Sequence, residues 1–270
     1  MIHRKELLNK KRIVVKIGSS SLTHAGGKLN LLRIEKLARV MTDLHNSGKE
    51  MILVSSGAIA TGAGKMGLDK KPSDKIKKQA LAAIGQAELI KIYDKFFEEY
   101  NKTVAQVLLT KDGIENSLRR KNARNTLNEL ISMGIIPVIN ENDTVSTDEI
   151  EFGDNDRLSA TVATLIGAEL LIILSDIDGM FTSDPAKNDR AELISKVVNM
   201  EEDIEKYVFS RDSSFGTGGM HSKIAAARHC VEHEVDMIIT NGSDPTIIYD
   251  VLEGKDVGTF FVSKRTAMNF

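Results

Sequence analysis

Short runs of β-branched and leucine residues, separated by stretches long enough for amphipathic helices, leave this chain few ways to fold. RIVVKI (Arg12 to Ile17), MILVS (Met51 to Ser55), VAQVLL (from Val104), IIPVI (Ile135 to Ile139), ELLIILS (Glu169 to Ser175), VDMIIT (Val235 to Thr240) and GTFFVS (Gly258 to Ser263) read as strands. Near-continuous apolar runs mark strands covered on both faces. Helical stretches are expected over Asn30 to Asn46, Ser73 to Tyr100, Ser117 to Met133, Arg157 to about Ile166 and about Gly219 to Glu234. Parallel strands need crossovers of that length, so the alternation predicts an α/β fold with a mostly parallel sheet. A Gly/Asp/Pro-rich connection follows Ser175 through Pro185, but with four prolines and no low-complexity segment no flexible linker or internal repeat is evident, and the expectation is one fold with two lobes, residues 1–168 and 169–270.

Composition narrows the function classes. The chain has 270 residues and a net charge of -2, which gives no reason to expect a nucleic-acid or anionic-membrane surface. Cys230 is the single cysteine, which excludes an internal disulfide framework and a multi-cysteine metal site. The first sixteen residues, MIHRKELLNKKRIVVK, are charged where a secretory signal needs an apolar run, and no stretch approaches the roughly 20 apolar residues that span a bilayer. A soluble protein of the cytoplasm is expected, with no membrane and no nucleic-acid partner.

Ligands of open α/β sheets sit beyond the carboxyl ends of the strands, so the segments that follow the strands carry the functional reading. KIGSSSLT places Lys16 at the end of the first strand, with Gly18, Ser19 and Ser20 after it. The second strand runs into SSGAIATG, where Ser55, Ser56, Gly57 and Ala58 form a small-residue turn that leaves room for a ligand; a tight strand-helix turn with a serine cap is the competing reading. In INENDTVSTDEIEFGDNDRLSA, Asn140, Glu141, Asn142 and Asp143 follow a strand, and Asp154, Asn155 and Asp156 precede a helix. Such amides and carboxylates suit the ammonium and carboxylate of an amino acid, or the orientation of lysines around phosphate; a solvated Asx-rich turn is the competing reading. SDIDGMFTSDP offers Ser175 and Asp176 to a nucleoside, and neither acidic segment fits a calcium loop. FGTGGMHSKIAAA sets three glycines and Lys223 at the entrance of an alanine-rich helix. A helix start with uncovered N–H groups favours an anion, although the spacing is not that of a Walker loop and a flexible glycine turn has the same appearance.

Taken in order, KIGSSSLT, VSSGAIATG, PVINENDTV, GDNDRLSA, LSDIDGMFTSDP and GTGGMHSK resemble the amino acid kinase family, in the branch that phosphorylates glutamate. The resemblance runs from about Ile13 to Phe261. PVINEND, GDND and GTGGMxxK in succession carry it; the glycine loops singly do not. It implies a three-layer αβα sandwich that transfers a phosphoryl group from ATP, with Mg2+, to the γ-carboxylate of L-glutamate in proline biosynthesis. The lobe over 1–168 would take the amino acid and that over 169–270 the nucleotide. Lys16 and Lys223 would stabilise the transferring group and Asp156 would orient them. Ser56, Asp143 and Asn155 would bind glutamate. Lys16, Ser175, Asp176, Thr217, Gly218, Gly219, Met220, His221, Ser222 and Lys223 would contact ATP, with His221 a variable loop position rather than a base. The resemblance assigns no direct metal ligand. It also implies a homo-oligomer, dimer or tetramer, and proline as a feedback inhibitor. Many family members carry a C-terminal PUA module, an RNA-binding-like domain that has no counterpart before Phe270. The nucleotide strand ends in Ser-Asp where Thr-Asp is common.

The chemistry is consistent with this residue set. A glutamate-type carboxylate ordinarily titrates at about 4.3 and is already ionised near neutrality, so it needs no general base, and no histidine or cysteine motif is required. Positioning and electrostatic stabilisation carry phosphoryl transfer, which is work for lysines. Two rivals share the scaffold. An acetylglutamate kinase or other carboxylate kinase would differ in the acceptor pocket, and a silent sensor would have no need of both lysines and Asp156.

Overall fold

A computed structural model describes residues 2–24, 28–68, 72–145, 155–208 and 218–268. Its strands are β1 (Arg12–Ile17), β2 (Glu50–Ser55), β3 (Val104–Leu109), β4 (Ile136–Glu141), β5 (Leu170–Ser175), β6 (Lys196–Val197), β7 (Asp236–Asn241) and β8 (Thr259–Phe261). They form one sheet in the order β3-β4-β2-β1-β5-β7-β8-β6. The principal helices are α1 (Leu31–Asn46), α2 (Ala58–Lys65), α3 (Lys75–Glu98), α4 (Ser117–Ser132), α5 (Asp156–Leu165), α6 (Met200–Val208), α7 (Gly218–Glu232) and α8 (Ile247–Leu252). The architecture is the expected α/β three-layer sandwich, mostly parallel; β8 runs antiparallel to β7.

The chain divides into two compact units, Lys16–Asn155 and Met1–Val15 with Asp156–Phe270. In the first, β4 pairs in parallel with both β2 and β3, with Leu53 opposite Val138 and Val104 opposite Ile136. Side-chain caps start its helices where the sequence offers them. Asn30 accepts from the Arg33 N–H at 3.1 Å, Asp74 from Lys77 at 2.8 Å and Asn116 from Arg119 at 3.1 Å. Helix α1 buries Ile34, Leu37, Ala38, Met41 and Leu44, a stripe at helical spacing. Helices α2 and α3 cross at two glycines. A Cβ on Gly62 would lie 2.0 Å from the Leu81 carbonyl oxygen, and one on Gly85 only 1.8 Å from that of Ala58, so the backbones meet without side chains between them.

In the second unit β5 pairs in parallel with β7, Leu170 opposite Asp236, and β6 with β8. Two buried charges tie the first residues of the chain to this unit. Arg4 donates to the carbonyl oxygens of Lys255, Val257, Ser195 and Gly258 at 2.7–3.1 Å. Asp236, fully buried, accepts from the Ser263 N–H and the Thr266 hydroxyl, both at 2.7 Å, and pairs with Lys10 at 2.6 Å. Buried ions need such full pairing, since an unpartnered one would be strongly destabilising.

Candidate active site

In the unit that contains Asp156–Phe270, the candidate residues Asp156 and Gly218 to Lys223 lie where α5 and α7 begin. The first turns of α7 carry Gly218, Gly219, Met220, His221, Ser222 and Lys223. Thr217 lies outside the described residues. Asp156, the first residue of α5, is fully buried, and Lys223 is 9% exposed. The Lys223 ammonium donates to Asp156 Oδ2 at 3.0 Å and to the Gly219 carbonyl oxygen at 3.3 Å, while the Ser222 hydroxyl donates to Asp156 Oδ2 at 3.1 Å. Sequence reasoning joined Lys223 to Asp156 across sixty-seven positions, and the structure brings them together.

The electrostatics leave a bias for an anion. Each helix start contributes roughly half a positive charge. Lys223 therefore sits at an already positive end of α7, and Asp156, itself at the start of α5, opposes it. A Cβ on Gly219 would meet nothing closer than the Lys223 ammonium at 3.8 Å, so no internal crowding calls for glycine there. What its absence of a side chain provides is access to backbone N–H groups at a helix start. His221 is exposed and Met220 half-buried. At the carboxyl end of β5, Ser175 is buried and donates to Asp176 Oδ1 at 3.1 Å, with Asp176 exposed. The next strand end, Asn241 of β7, donates to Asp178 Oδ1 at 2.7 Å.

In the unit Lys16–Asn155, Lys16 is buried near the carboxyl end of β1, at 5% exposure. Ser56 follows β2, and Gly57 after it has φ +94°, a left-handed conformation that favours glycine and turns the chain into α2. Ser56, Asn140, Asp143 and Asn155 are all buried. The Asn155 amide donates to the Ser55 carbonyl oxygen and to Asn140 Oδ1, both at 2.7 Å, which joins the ends of β2 and β4. Among the described residues, the buried Asn155 Oδ1 has no hydrogen-bond partner. A buried amide oxygen left open in this way is an acceptor available to a donor on a ligand. Asp154 and residues 146–153 lie outside the described residues.

Three polar side chains escaped the sequence reading. Gln86 of α3 is 6% exposed, Tyr93 of the same helix is buried with its hydroxyl 3.0 Å from Ser55 Oγ, and Gln106 lies on β3. Burial pushes the Tyr93 phenol well above its ordinary range, so it stays neutral. The available signal was a glutamine inside an apolar strand run, VAQVLL, and another inside the alanine-rich LAAIGQAEL. Among the described residues, no group of three or more His, Cys, Asp or Glu side chains is placed to hold a metal ion.

The chain is similar to known proteins over most of its length. Residues 11–241 match the sequence profile of the amino acid kinase family. The chain is 51% identical to the glutamate 5-kinase of Clostridium perfringens, over 97% of this chain and 99% of that protein. It is 49% identical to the glutamate 5-kinase of Listeria welshimeri, over 98% of each. Among solved structures, UMP kinase from Ureaplasma parvum superposes with a TM-score of 0.63 at 17% identity, covering 94% of this chain and 99% of that one. An isopentenyl phosphate kinase from T. acidophilum gives 0.63 at 18%, covering 93% and 99%. At those identities the structural likeness speaks for the fold, whereas the full-length sequence matches and the buried Lys223–Asp156 pair lead to one conclusion: the chain belongs to the amino acid kinase family.

Proposed function

We infer that this protein phosphorylates the γ-carboxylate of L-glutamate with ATP, forming L-glutamyl 5-phosphate and ADP, the first step of proline biosynthesis. The observation that carries this reading is the 51% identity, over nearly the whole of both chains, to a protein named glutamate 5-kinase. The roles follow from residue chemistry. The acceptor carboxylate is ionised at neutral pH, so the obstacle is repulsion between two anions rather than removal of a proton. Lys223, held by Asp156, and Lys16 supply the positive charge that stabilises the transferring phosphoryl group. Ser222 shares Asp156 with Lys223 and limits the rotation of that carboxylate. Ser56, Asp143 and Asn155 bind glutamate, with Asn155 Oδ1 facing a donor. Ser175, Asp176 and Thr217 to Lys223 contact ATP.

Mg2+ would accompany ATP, held mainly by phosphate oxygens and water, and would neutralise part of the phosphate charge that Lys16 and Lys223 also face. Proline acts as a feedback inhibitor, and the protein works as a cytoplasmic homo-oligomer, a dimer or tetramer. The direct test incubates purified protein with MgATP and, separately, L-glutamate, N-acetyl-L-glutamate or L-aspartate, trapping acyl phosphate with hydroxylamine and measuring hydroxamate and ADP. Both products are expected with L-glutamate. Turnover only with another acceptor overturns the acceptor assignment, and no turnover with any acceptor overturns the kinase reading.

A further inference from the structure

We propose that a cavity at the amino ends of β5 and β7 binds a small zwitterion of the α-amino-acid type. The proposal goes beyond the glutamate reading and does not depend on it. The cavity has a volume of about 320 Å3, near the lower end of the range for small-molecule sites, and Glu6, Lys10, Glu169, Glu234, Arg265 and Thr266 form much of its polar wall. All of them lie in the unit made of Met1–Val15 and Asp156–Phe270. Glu169 stands just before β5 and Glu234 two residues before β7, whereas Ser175 and Asn241 close the other ends of the same strands. Strands of that length set the two ends about 20 Å apart, so the cavity is separate from the residues proposed to contact ATP.

The charges in the wall select the ligand. Lys10 is committed to the buried Asp236 at 2.6 Å, and Glu169 Oε2 accepts from the Lys11 and Arg12 N–H groups. Among the described residues, the side chains of Glu6, Glu234 and Arg265 make no hydrogen bond or ion pair. One guanidinium and two carboxylates are thus left to the cavity. A polyanion would be repelled by Glu6 and Glu234, and a polycation by Arg265. Nor, among the described residues, are three carboxylate, imidazole or thiol groups placed to hold a metal ion. A zwitterion answers both signs: its carboxylate takes the fork of Arg265, and its ammonium donates to the two glutamates.

The backbone at Glu234 points the same way. Helix α7 ends in a turn in which the Val235 N–H donates to the Cys230 carbonyl oxygen at 2.9 Å and the Glu234 N–H to that of Val231 at 3.4 Å, with Glu234 at φ +63°. That left-handed place ordinarily belongs to glycine. Gly48, Gly67, Gly134, Gly167 and Gly254 fill it after α1, α2, α4, α5 and α8, and Asn101 fills it after α3. Among the described residues only Glu234 sets a long side chain there, against the conformational preference and without an internal bond to offset it. A carboxylate that serves a ligand in the adjoining cavity accounts for its presence.

The test titrates wild type, Glu234→Gly and Arg265→Gln with each of the common L-amino acids by isothermal titration calorimetry, to about 10 mM ligand, with thermal melts of each protein alone. Glu234→Gly gives the turn its usual residue and should melt at or above wild type, so that lost binding is not lost folding. At least one amino acid should bind wild type and weaken by about 10-fold or more in both variants, the effect of one charge-assisted hydrogen bond. Analogues of that amino acid without the ammonium, or without the carboxylate, should each bind about 10-fold more weakly. Glutamate KM and ATP KM should stay within about 2-fold in both variants, because the cavity is remote from those residues. The proposal is overturned if no amino acid depends on both Glu234 and Arg265, if an analogue with one charge binds as well, or if the two KM values rise with the loss of binding. Wild-type protein without glutamate-dependent turnover would overturn the glutamate reading, while the titrations decide this one separately.

Discussion

Replacing Gly85 with alanine tests whether the crossing of α2 and α3 sets the position of Ser56. In isolation the change favours the helix by about 1 kcal/mol, because alanine loses less conformational freedom than glycine. Against that, the new Cβ would stand 1.8 Å from the Ala58 carbonyl oxygen, 2.7 Å from its carbon and 2.8 Å from the Gly62 nitrogen. All three are backbone atoms, so no side chain can rotate away, and the helices must separate by about 1.5 Å to reach ordinary contact. Overpacking of that kind costs up to about 3 kcal/mol or more, so the clash outweighs the propensity gain by about 2 kcal/mol. For a chain of this size that is a fall in melting temperature of about 4–8 °C. The strain falls on the first residue of α2, two positions after Ser56, so glutamate KM should rise while ATP KM holds. Differential scanning fluorimetry and initial rates read both effects. An alanine variant with unchanged melting temperature and unchanged glutamate KM would refute the reasoning.

Other perturbations follow from the buried charges and titrating groups. Asp156→Ala leaves Lys223 without its fully buried partner and should lower stability by about 3–5 kcal/mol; Asp156→Asn, which still accepts a hydrogen bond, should fold better and lose kcat, as melts and steady-state rates will show. Burial and then the adjacent His233 imidazole, opposed by Glu232, hold the His229 pKa below its ordinary value, and His45 is lowered by burial and Lys102 against Glu50. A depressed folded-state pKa means that this stability is present above about pH 6.5 and lost as pH falls through the folded-state values. Melting temperature should therefore drop between pH 7 and 5, and His229→Gln should flatten part of the drop; an identical slope would contradict the assignment. Burial also pushes the Cys230 thiol up to about 12. Native protein should resist a thiol-specific disulfide reagent at neutral pH and react with one equivalent after denaturation, whereas rapid native reaction would show the site to be open.

Most of the sheet was legible because its strands are apolar on both faces. RIVVKI, VAQVLL and ELLIILS became β1, β3 and β5 to within a residue. The helical stretch expected over Asn30 to Asn46 became α1, with Asn30 as its cap rather than its first residue. The two-residue β6, the helix over Met200–Val208 and the antiparallel sense of β8 were not legible. Pairings that short depend on contacts made elsewhere in the chain, not on local periodicity. At the site, the Lys223–Asp156 pair was legible from the motifs. Gln86 was not, since a single glutamine in a helix ordinarily reads as a surface position, whereas here it is buried and donates to the Glu141 carbonyl oxygen. The tight glycine crossing was equally silent, because nothing in the sequence says which backbone will approach Gly62 and Gly85.

The central claim of the proposed function is that Lys16 and Lys223 stabilise the transferring phosphoryl group, whatever Lys223 also contributes to the fold through Asp156. The measurement that tests it most directly is kcat for glutamate-dependent hydroxamate formation by Lys16→Met and Lys223→Met, each shown by circular dichroism to be folded. Methionine keeps much of the length of the side chain and removes the charge. Each variant should lose about 100- to 1,000-fold in kcat, the range for deleting one transition-state stabiliser. Folded variants that retain wild-type turnover would contradict the account.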